Sequence, residues 1–362
     1  MCSSDLRLDA SLQDAQIEIR RGATVIESLT GLRGRLQQSQ GSPLQLQLET
    51  QLAALPDRPP GDLQIAAAVD WQKSRAEANV TTTGIELARL RALTKDALPP
   101  EAISTLAGRV RGSCRMDLQD FAAPTVSLDG QLRIADPHVA GAWLGGMNLR
   151  GQEWTLRPSL RGSLDDWTAG KLPRWTHDFA IDLGCASVRA VEGDENSLAA
   201  EFALDVAAMA AWGGPIPDGL GRIPAKLRGS ASLPLHDGHL PPFAQIPSLL
   251  VTKLDATCGA LDLEGMQLRG LAATAELERG ELRLQSKPGG TLNQGALQIT
   301  AHADLRDLEV PQGDFALQWS GGRVEGQALH LIKRLVPLLA GSDNAARIDG
   351  LANLTQIGRA HV

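Results

Sequence analysis

Few residues of this chain could carry proton or metal chemistry, and the tightest grouping of them is His236-Asp-Gly-His239. Two imidazoles three residues apart can share a metal from one helical turn. Gly238 and the flanking Pro234, Pro241 and Pro242 break such a helix, so the stretch is expected to be a surface turn. His177-Asp178 could be a base with its orienting carboxylate. No Gly-x-Ser-x-Gly elbow or activated cysteine completes a nucleophilic site around it, and a solvated pair at a strand start is expected. The carboxylate pairs Asp165-Asp166 and Asp194-Glu195 stand beside Gly, Ser and Asn. There, acidic side chains accept hydrogen bonds from nearby backbone N–H groups, so turn chemistry is expected in place of glycosidase-type acid/base work.

Cys114, Cys185 and Cys258 are widely spaced, form no Cys-x-x-Cys pair, and are expected to be small core residues. No Gly-x-Gly-x-x-Gly follows a strand pattern and no Gly-Lys-Ser/Thr loop occurs. Gly145-Gly146 and Gly321-Gly322 are expected to be hairpin turns. Four of the seven tryptophans, Trp143, Trp154, Trp167 and Trp175, fall close together, with Trp71, Trp212 and Trp319 elsewhere. An aromatic cluster can bind sugar rings or sit at a membrane interface, but packing in a core or groove is the expectation. The residues therefore point to a protein that is not an enzyme, with no catalytic residue, metal or cofactor.

Composition narrows the partners. The formal net charge is −7, no Lys/Arg cluster occurs, Tyr is absent and only five Phe are present. This chain lacks the basic stripe and stacking platform that nucleic acid requires. Apolar residues make up 43% of it, ample for a core, yet none of its apolar runs reaches the roughly 18 residues of a membrane span.

The elements that would position side chains are strands. Leu6-Leu8-Ala10-Leu12, Leu44-Leu46-Leu48, Val126-Leu128, Leu132-Ile134, Leu198 to Val206, Leu282-Leu284 and Leu297 to Leu305 all alternate apolar with polar residues. Such strands are dry on one side and wet on the other. Turns are expected at Asp129-Gly130, Arg279-Gly280, Pro288-Gly289-Gly290 and Gln312-Gly313-Asp314. The fold class expected is mainly β: a long curved antiparallel meander, or groove, of repeated strands with a few short amphipathic helices. The segments 56–61, 97–101, 214–224 and 234–247 are expected to be loops or irregular crossings.

Leu-Arg-Gly recurs at Leu32, Leu149, Leu160, Leu227 and Leu268, with looser copies at Arg109-Val-Arg-Gly112 and Arg323-Val-Glu-Gly326. A larger repeat aligns Gly84 to Gly108 with Gly326 to Gly350 at one fixed offset and, more weakly, with Leu204 to Ser230. In each copy an amphipathic helix leads into a strand, and the strand starts lie roughly 120 residues apart, a period typical of repeat architectures. The tips Met1 to Leu6 and Gln356 to Val362 back-translate to one DNA sequence on opposite strands, similar to a sequencing-library adaptor. Residues 1–6 and 356–362 are therefore expected to be foreign, and 7–355 one extended β-repeat domain cut at both ends.

The run Met266 to Leu284, followed by Gly289 to Ile299, resembles the strand-turn-strand core of AsmA-like proteins. The helix-then-glycine units at 84–112 and 326–354 are similar to the helices that interrupt those strands. The resemblance implies a diderm envelope protein anchored in the inner membrane by an N-terminal helix that this chain lacks. Its periplasmic part would be a long β-sheet with an apolar inner groove, linked to outer-membrane biogenesis and phospholipid transport as in bridge-like lipid transfer proteins. It implies a phospholipid or other acyl lipid as ligand, both membranes as partners, and no catalytic signature. The groove candidates are Phe202, Leu204, Leu282, Leu284, Leu297 and Ile299. The alternative is a structural or adhesive β-solenoid with a closed core and no lipid transfer. A polysaccharide lyase on a β-helix would show stacked Asn ladders, against which six scattered Asn argue.

Overall fold

Alternation of apolar and polar residues drives the chain into strands, and among the described residues the computed structural model contains 24 of them, paired antiparallel. It describes residues 8–21, 24–54, 60–89, 104–141, 148–169, 171–191, 196–211, 223–239, 241, 245–263, 266–306, 312–322 and 352–356. The residues group into two compact units, Met1–Glu192 with Ala211–Ile216, and Gly193–Ala210 with Pro217–Val362.

The first unit is a meander. Strands β1 (Leu8–Arg21), β2 (Thr24–Gln38), β3 (Leu44–Leu52), β4 (Gly61–Asp70), β5 (Arg75–Glu86), β6 (Thr105–Gln119) and β7 (Thr125–Ala140) each pair with the next. Beyond β7 lie β8 (Asn148–Arg150), β9 (Glu153–Arg157) and β10 (Ser159–Ser163), all paired with it. Then β11 (Arg174–Trp175) pairs with β10, β12 (Ala180–Asp182) with β9, and β13 (Ala186–Ala190) with β12. Because side chains alternate, the register puts Leu36, Leu46, Ala67, Ala78, Met116 and Leu128 in one row on one face. Its opposite face carries ion pairs such as Arg35 with Asp9 at 2.9 Å and Arg115 with Glu77 at 2.8 Å.

In the second unit β14 (Ser197–Asp205), β15 (Ala225–Pro234), β16 (Val251–Cys258), β19 (Leu271–Glu278), β20 (Glu281–Ser286), β22 (Gly295–Asp304), β23 (Gln312–Ser320) and β24 (Ala352–Gln356) pair in that order. The sheet divides at β22. Residues 300–304 pair with β20, while Gly295 and Ala296 pair with β21 (Thr291–Leu292), which carries β18 (Met266–Arg269) and β17 (Leu261–Leu263).

Helices are few and short among the described residues. Ser163 caps α1 (Leu164–Thr168) by accepting a hydrogen bond from Asp165 N, and α2 (Ile246–Leu249) precedes β16. The expected helix-then-strand repeat leaves a helical turn at residues 87–89 and a 3-10 turn at Ala208–Ala211. The strands that follow begin at Thr105, Ala225 and Ala352, close to the expected period. The helix expected from Gly326 onward lies outside the described residues, as do 56–59, 97–101 and 214–222. Of the two tips only Gln356 is described; it closes β24 opposite Phe315.

The Leu-Arg-Gly repeat acquires a physical meaning in the strands. In each copy the leucine is buried or half-buried, the arginine is exposed, and at Leu32, Leu149, Leu160 and Leu227 the glycine returns to the leucine's side. That glycine admits a close neighbour. A Cβ on Gly34 would stand 2.6 Å from Leu48 Cδ2, one on Gly151 2.6 Å from Trp154 Nε1, and one on Gly162 would collide with the Trp167 indole.

Two expected turns are strands instead. Asp129-Gly130 lies within β7, where Cys114 faces Gly130 and Gly130 N donates to Pro158 O at 3.0 Å. Gln312-Gly313-Asp314 opens β23, with Gly313 opposite Ala303. A glycine with a ladder to satisfy gains more from pairing than from turning, and both sites admit only a residue without Cβ, since one would meet Ser113 O or His302 O at 2.6 Å. The turns at Arg279-Gly280 and Pro288-Gly289-Gly290 form as expected, and Gly321 bends the chain out of β23 with φ of 69°.

Candidate functional site

The six groove candidates come from three strands of the second unit, and the register turns them all to one face. One row runs Phe202, Gly229, Leu254, Ala275, Leu284, Ala301. The next begins Leu204, Leu227, Ala256, Ala273, Ser286. It continues through Ile299, whose N donates to Ser286 Oγ at 2.8 Å, to Leu317. A third passes from Thr252 through Leu277 and Leu282 to Ala303, and Leu297 faces Trp319. No charged residue occupies any of these rows.

This face is unevenly covered. Phe202, Leu204, Leu254, Ala256, Leu282, Leu284 and Ile299 are only half-buried. Leu297, in contrast, is 4% exposed, because the sheet's division folds β17, β18 and β21 up beside it. Leu268, Leu297 and Trp319 form a buried corner there, packed by Cys258, Leu261, Leu271, Leu292, Ile299 and Leu317. The indole of Trp319 donates from Nε1 to Leu292 O at 2.8 Å, and Asn293 Oδ1 accepts from Gln267 N at 2.6 Å.

Seven strands spaced about 4.8 Å apart, over the roughly 20 Å from Leu271 to Leu277, make a floor of about 600 Å², within which Ala273, Ala275 and Leu277 are buried. The reverse of the sheet is wet and carries side chains of both signs of charge. Lys253, Glu276, Arg283, His302 and Asp314 are successive partners, with Lys253 Nζ 3.3 Å from Glu276 and His302 Nδ1 3.4 Å from Asp314.

The chemistry the face can perform is solvation of apolar matter. Its polar side chains are neutral: Thr252, Ser286 and Cys258. Burial pushes the Cys258 thiol upward, away from the reactive thiolate, and does the same at Cys114 on the dry face of the first unit. Cys185 is buried, and Cys114 and Cys258 are free thiols.

The residues with chemical potential stay apart from this face. His236 and His239 bridge each other's backbones across a turn in which Asp237 and Gly238 have φ of 50° and 82°. His177 and Asp178 are a solvent-exposed pair 3.4 Å apart. Asp165 and Asp166 sit in the first turn of α1, where the helix dipole favours negative charge, and Asp166 pairs with Lys171 at 2.8 Å. Among the described residues no three His, Cys, Asp or Glu side chains are grouped to hold a metal, and no helix is long and apolar enough to cross a membrane. Asp194-Glu195, Gly145-Gly146, Trp143 and Trp212 lie outside the described residues.

The tryptophans divide. Trp154 and Trp319 are 6% and 8% exposed. Trp175 stacks on Phe179 with ring centroids 4.4 Å apart, whereas Trp71 is 63% exposed with its edge against Phe121.

Sequence reasoning missed the middle of the floor, Leu254, Ala256, Ala273 and Ala275, and the wall at Leu261, Leu268 and Leu292. The floor was detectable from the alternation Thr252-Leu254-Ala256-Cys258 in β16; the wall had only the Leu-Arg-Gly at Leu268 to mark it. No family model, curated protein or solved structure matches the chain.

Proposed function

We propose that this chain is part of a bacterial envelope protein of AsmA-like type, acting in outer-membrane biogenesis or phospholipid transport by holding acyl lipids on an apolar β-groove. It works without catalysis or a cofactor, in the periplasm, on a protein tied to the inner membrane by an N-terminal helix. The observation that carries this reading is the uncharged floor of the second unit, continuous over seven strands, on which Phe202, Leu204, Leu254, Leu282 and Leu284 stay half-buried while Ala273, Ala275 and Leu277 of β19 are buried between them. Water contact with such a floor is unfavourable by about 25 cal/mol per Å², and each methylene of a lipid that replaces the water gains about 0.8 kcal/mol. An acyl chain is the ligand that uses such a surface without needing a polar partner on it.

The second reading, a structural or adhesive β-solenoid with a closed core, draws on the filled corner at Leu268, Leu297 and Trp319. The half-buried Phe202, Leu204, Leu254, Leu282 and Leu284 speak for the groove. Placing a photo-crosslinking amino acid at Phe202, Leu204, Leu282 or Leu284, in protein expressed in the periplasm of a diderm bacterium, tests the two. Lipid adducts at these positions and none at wet-face positions such as Thr274 are expected; adducts with protein only, or none, would overturn the proposal.

A further inference from the structure

Arginines on the wet face of the first unit fall into two groups. Arg35, Arg75 and Arg115 are each held by a carboxylate: Asp9 at 2.9 Å, Asp117 at 2.8 Å and Glu77 at 2.8 Å. Arg111, Arg133 and Arg157 are exposed and, among the described residues, form no ion pair. These three belong to no basic run in the sequence, and the register assembles them. Arg111 of β6 stands directly opposite Arg133 of β7, and Arg133 stands opposite Thr155 of β9, which puts Arg157 on the adjoining diagonal. Opposed side chains lie about 5 Å apart at Cβ and diagonal ones about 7–8 Å, within reach of one another's long side chains. Like charges placed directly opposite destabilise a sheet, so the Arg111–Arg133 pair costs stability unless an anion meets it.

The ground among the three is uncharged and hydrogen-bonding, with Ser113 opposite Gln131 and Thr155 opposite Arg133. Charged residues border it. Glu153 lies opposite Ala135 and Asp182 opposite Thr155, each on a diagonal to one of the trio, while Arg189 stands two strands beyond Arg157, across Ala180. Arg109 is opposite Glu86, with its guanidinium over Gly84. The nearby acids are engaged elsewhere in part: Asp182 Oδ1 accepts from Gly184 N at 2.8 Å, Asp62 Oδ2 from Thr83 N at 3.0 Å, and Asp129 Oδ1 from Ser159 Oγ.

We infer that Arg111, Arg133 and Arg157 bind a phosphate monoester group on the wet face. A guanidinium forks onto two phosphate oxygens at once, so three of them supply donors for all three terminal oxygens, and the dianion neutralises the opposed pair. Glu153 and Asp182 at the border limit the site to one such group. A nucleic acid would lay further phosphates over those carboxylates, and none of these positions carries an aromatic ring for its bases. The inference stands apart from the lipid reading, since the phosphate group of a lipid head and that of a soluble compound offer the same oxygens.

Thermal unfolding of the unmodified chain with inorganic phosphate, against chloride at equal ionic strength, tests the site. A ligand that binds only the folded chain raises the midpoint with concentration. Phosphate is expected to raise it, with the rise lost in Arg133→Gln and in Arg111→Gln and kept in Arg35→Gln. Without phosphate, Arg133→Gln is expected to unfold at the same temperature or above, because it removes a like-charge contact; a clearly lower midpoint would show the arginine already paired and overturn the inference. Sedimentation with phosphatidylcholine vesicles containing phosphatidic acid then names the source. Several-fold more unmodified chain than Arg133→Gln in the pellet would assign a lipid head group, and an empty pellet beside the phosphate rise would assign a soluble phosphate compound. No response to either probe, or a phosphate rise unchanged in both arginine variants of the trio, would overturn the site.

Discussion

Arg89 and Glu27, 62 residues apart in the chain, form an ion pair whose side chains are 1% and 4% exposed, Arg89 Nη1 donating to Glu27 Oε1. Arg89 Nη2 also donates to Ala53 O at 2.6 Å, and Glu27 Oε1 accepts from Ser28 N at 3.0 Å. One guanidinium thus ties the helical turn after β5 to β2 and to the end of β3. Removing one partner of a sealed pair leaves a naked charge. Arg89→Met or Glu27→Leu is expected to destabilise the first unit by about 3–5 kcal/mol, while replacing both with apolar residues costs far less. Urea denaturation of the two single variants and the double variant measures this; additive losses would show that the pair is not coupled.

The floor and the corner of the second unit predict unequal responses to truncation. Leu268 is 8% exposed, so Leu268→Ala opens a cavity and is expected to cost about 2–5 kcal/mol. Leu284 is half-buried, and Leu284→Ala, which removes side chain partly in contact with water, is expected to cost about 1 kcal/mol. Equal losses in thermal unfolding would mean that the floor is covered as a closed solenoid requires.

Gly229 faces Phe202 across the β14–β15 pair, and a Cβ placed on it would run into Lys253 O of β16. The obstruction is backbone, which yields less than a side chain. Gly229→Ala is expected to destabilise by about 1–3 kcal/mol, whereas Gly41→Ala tests a different cost, since a Cβ there meets nothing but φ is 74°. Chemical denaturation with circular dichroism follows both; an unchanged midpoint for Gly229→Ala would show that β15 and β16 do not approach this closely.

Asp304 and Arg306 form a two-residue clasp beyond β22, Nε donating to Oδ1 at 2.8 Å. The guanidinium hydrogen bonds hold the Asp304 carboxyl well down, from 3.8 to about 2. A carboxyl lowered on folding contributes its stability above its ordinary value and loses it as pH falls through the folded one. The clasp is therefore expected to be intact above about pH 4 and lost toward pH 2. Carboxyl NMR titration checks it: Arg306→Ala should return the midpoint toward 3.8. A midpoint that stays put in that variant would exclude the clasp as the cause.

Much of the architecture was legible because strand formation here is local. Alternation in Leu198 to Leu204 and Leu297 to Asp304 is a property of adjacent residues, and each such run became a strand. Arg279-Gly280 was legible as a turn for the same reason. Asp129-Gly130 was not: its dipeptide favours a turn, and only the partners Cys114 and Pro158, distant in sequence, show that the strand continues. The floor candidates were likewise legible one strand at a time, but Leu268 and Trp319 could not be separated from any other apolar residue until the sheet divided around them.

The sequence alone determined that this chain makes strands with one dry and one wet side, and that Leu-Arg-Gly sends leucine and arginine to opposite faces. These follow from side-chain period and backbone freedom, which neighbours along the chain decide. Which strand lies beside which, and therefore that Phe202, Leu284 and Ile299 share a face, was decided by register over dozens of residues. The division of the sheet at β22 is of the same kind. It depends on β20 and β21 each taking part of one strand's hydrogen bonds, and that competition is settled only where the whole ladder and the corner beneath Trp319 form together.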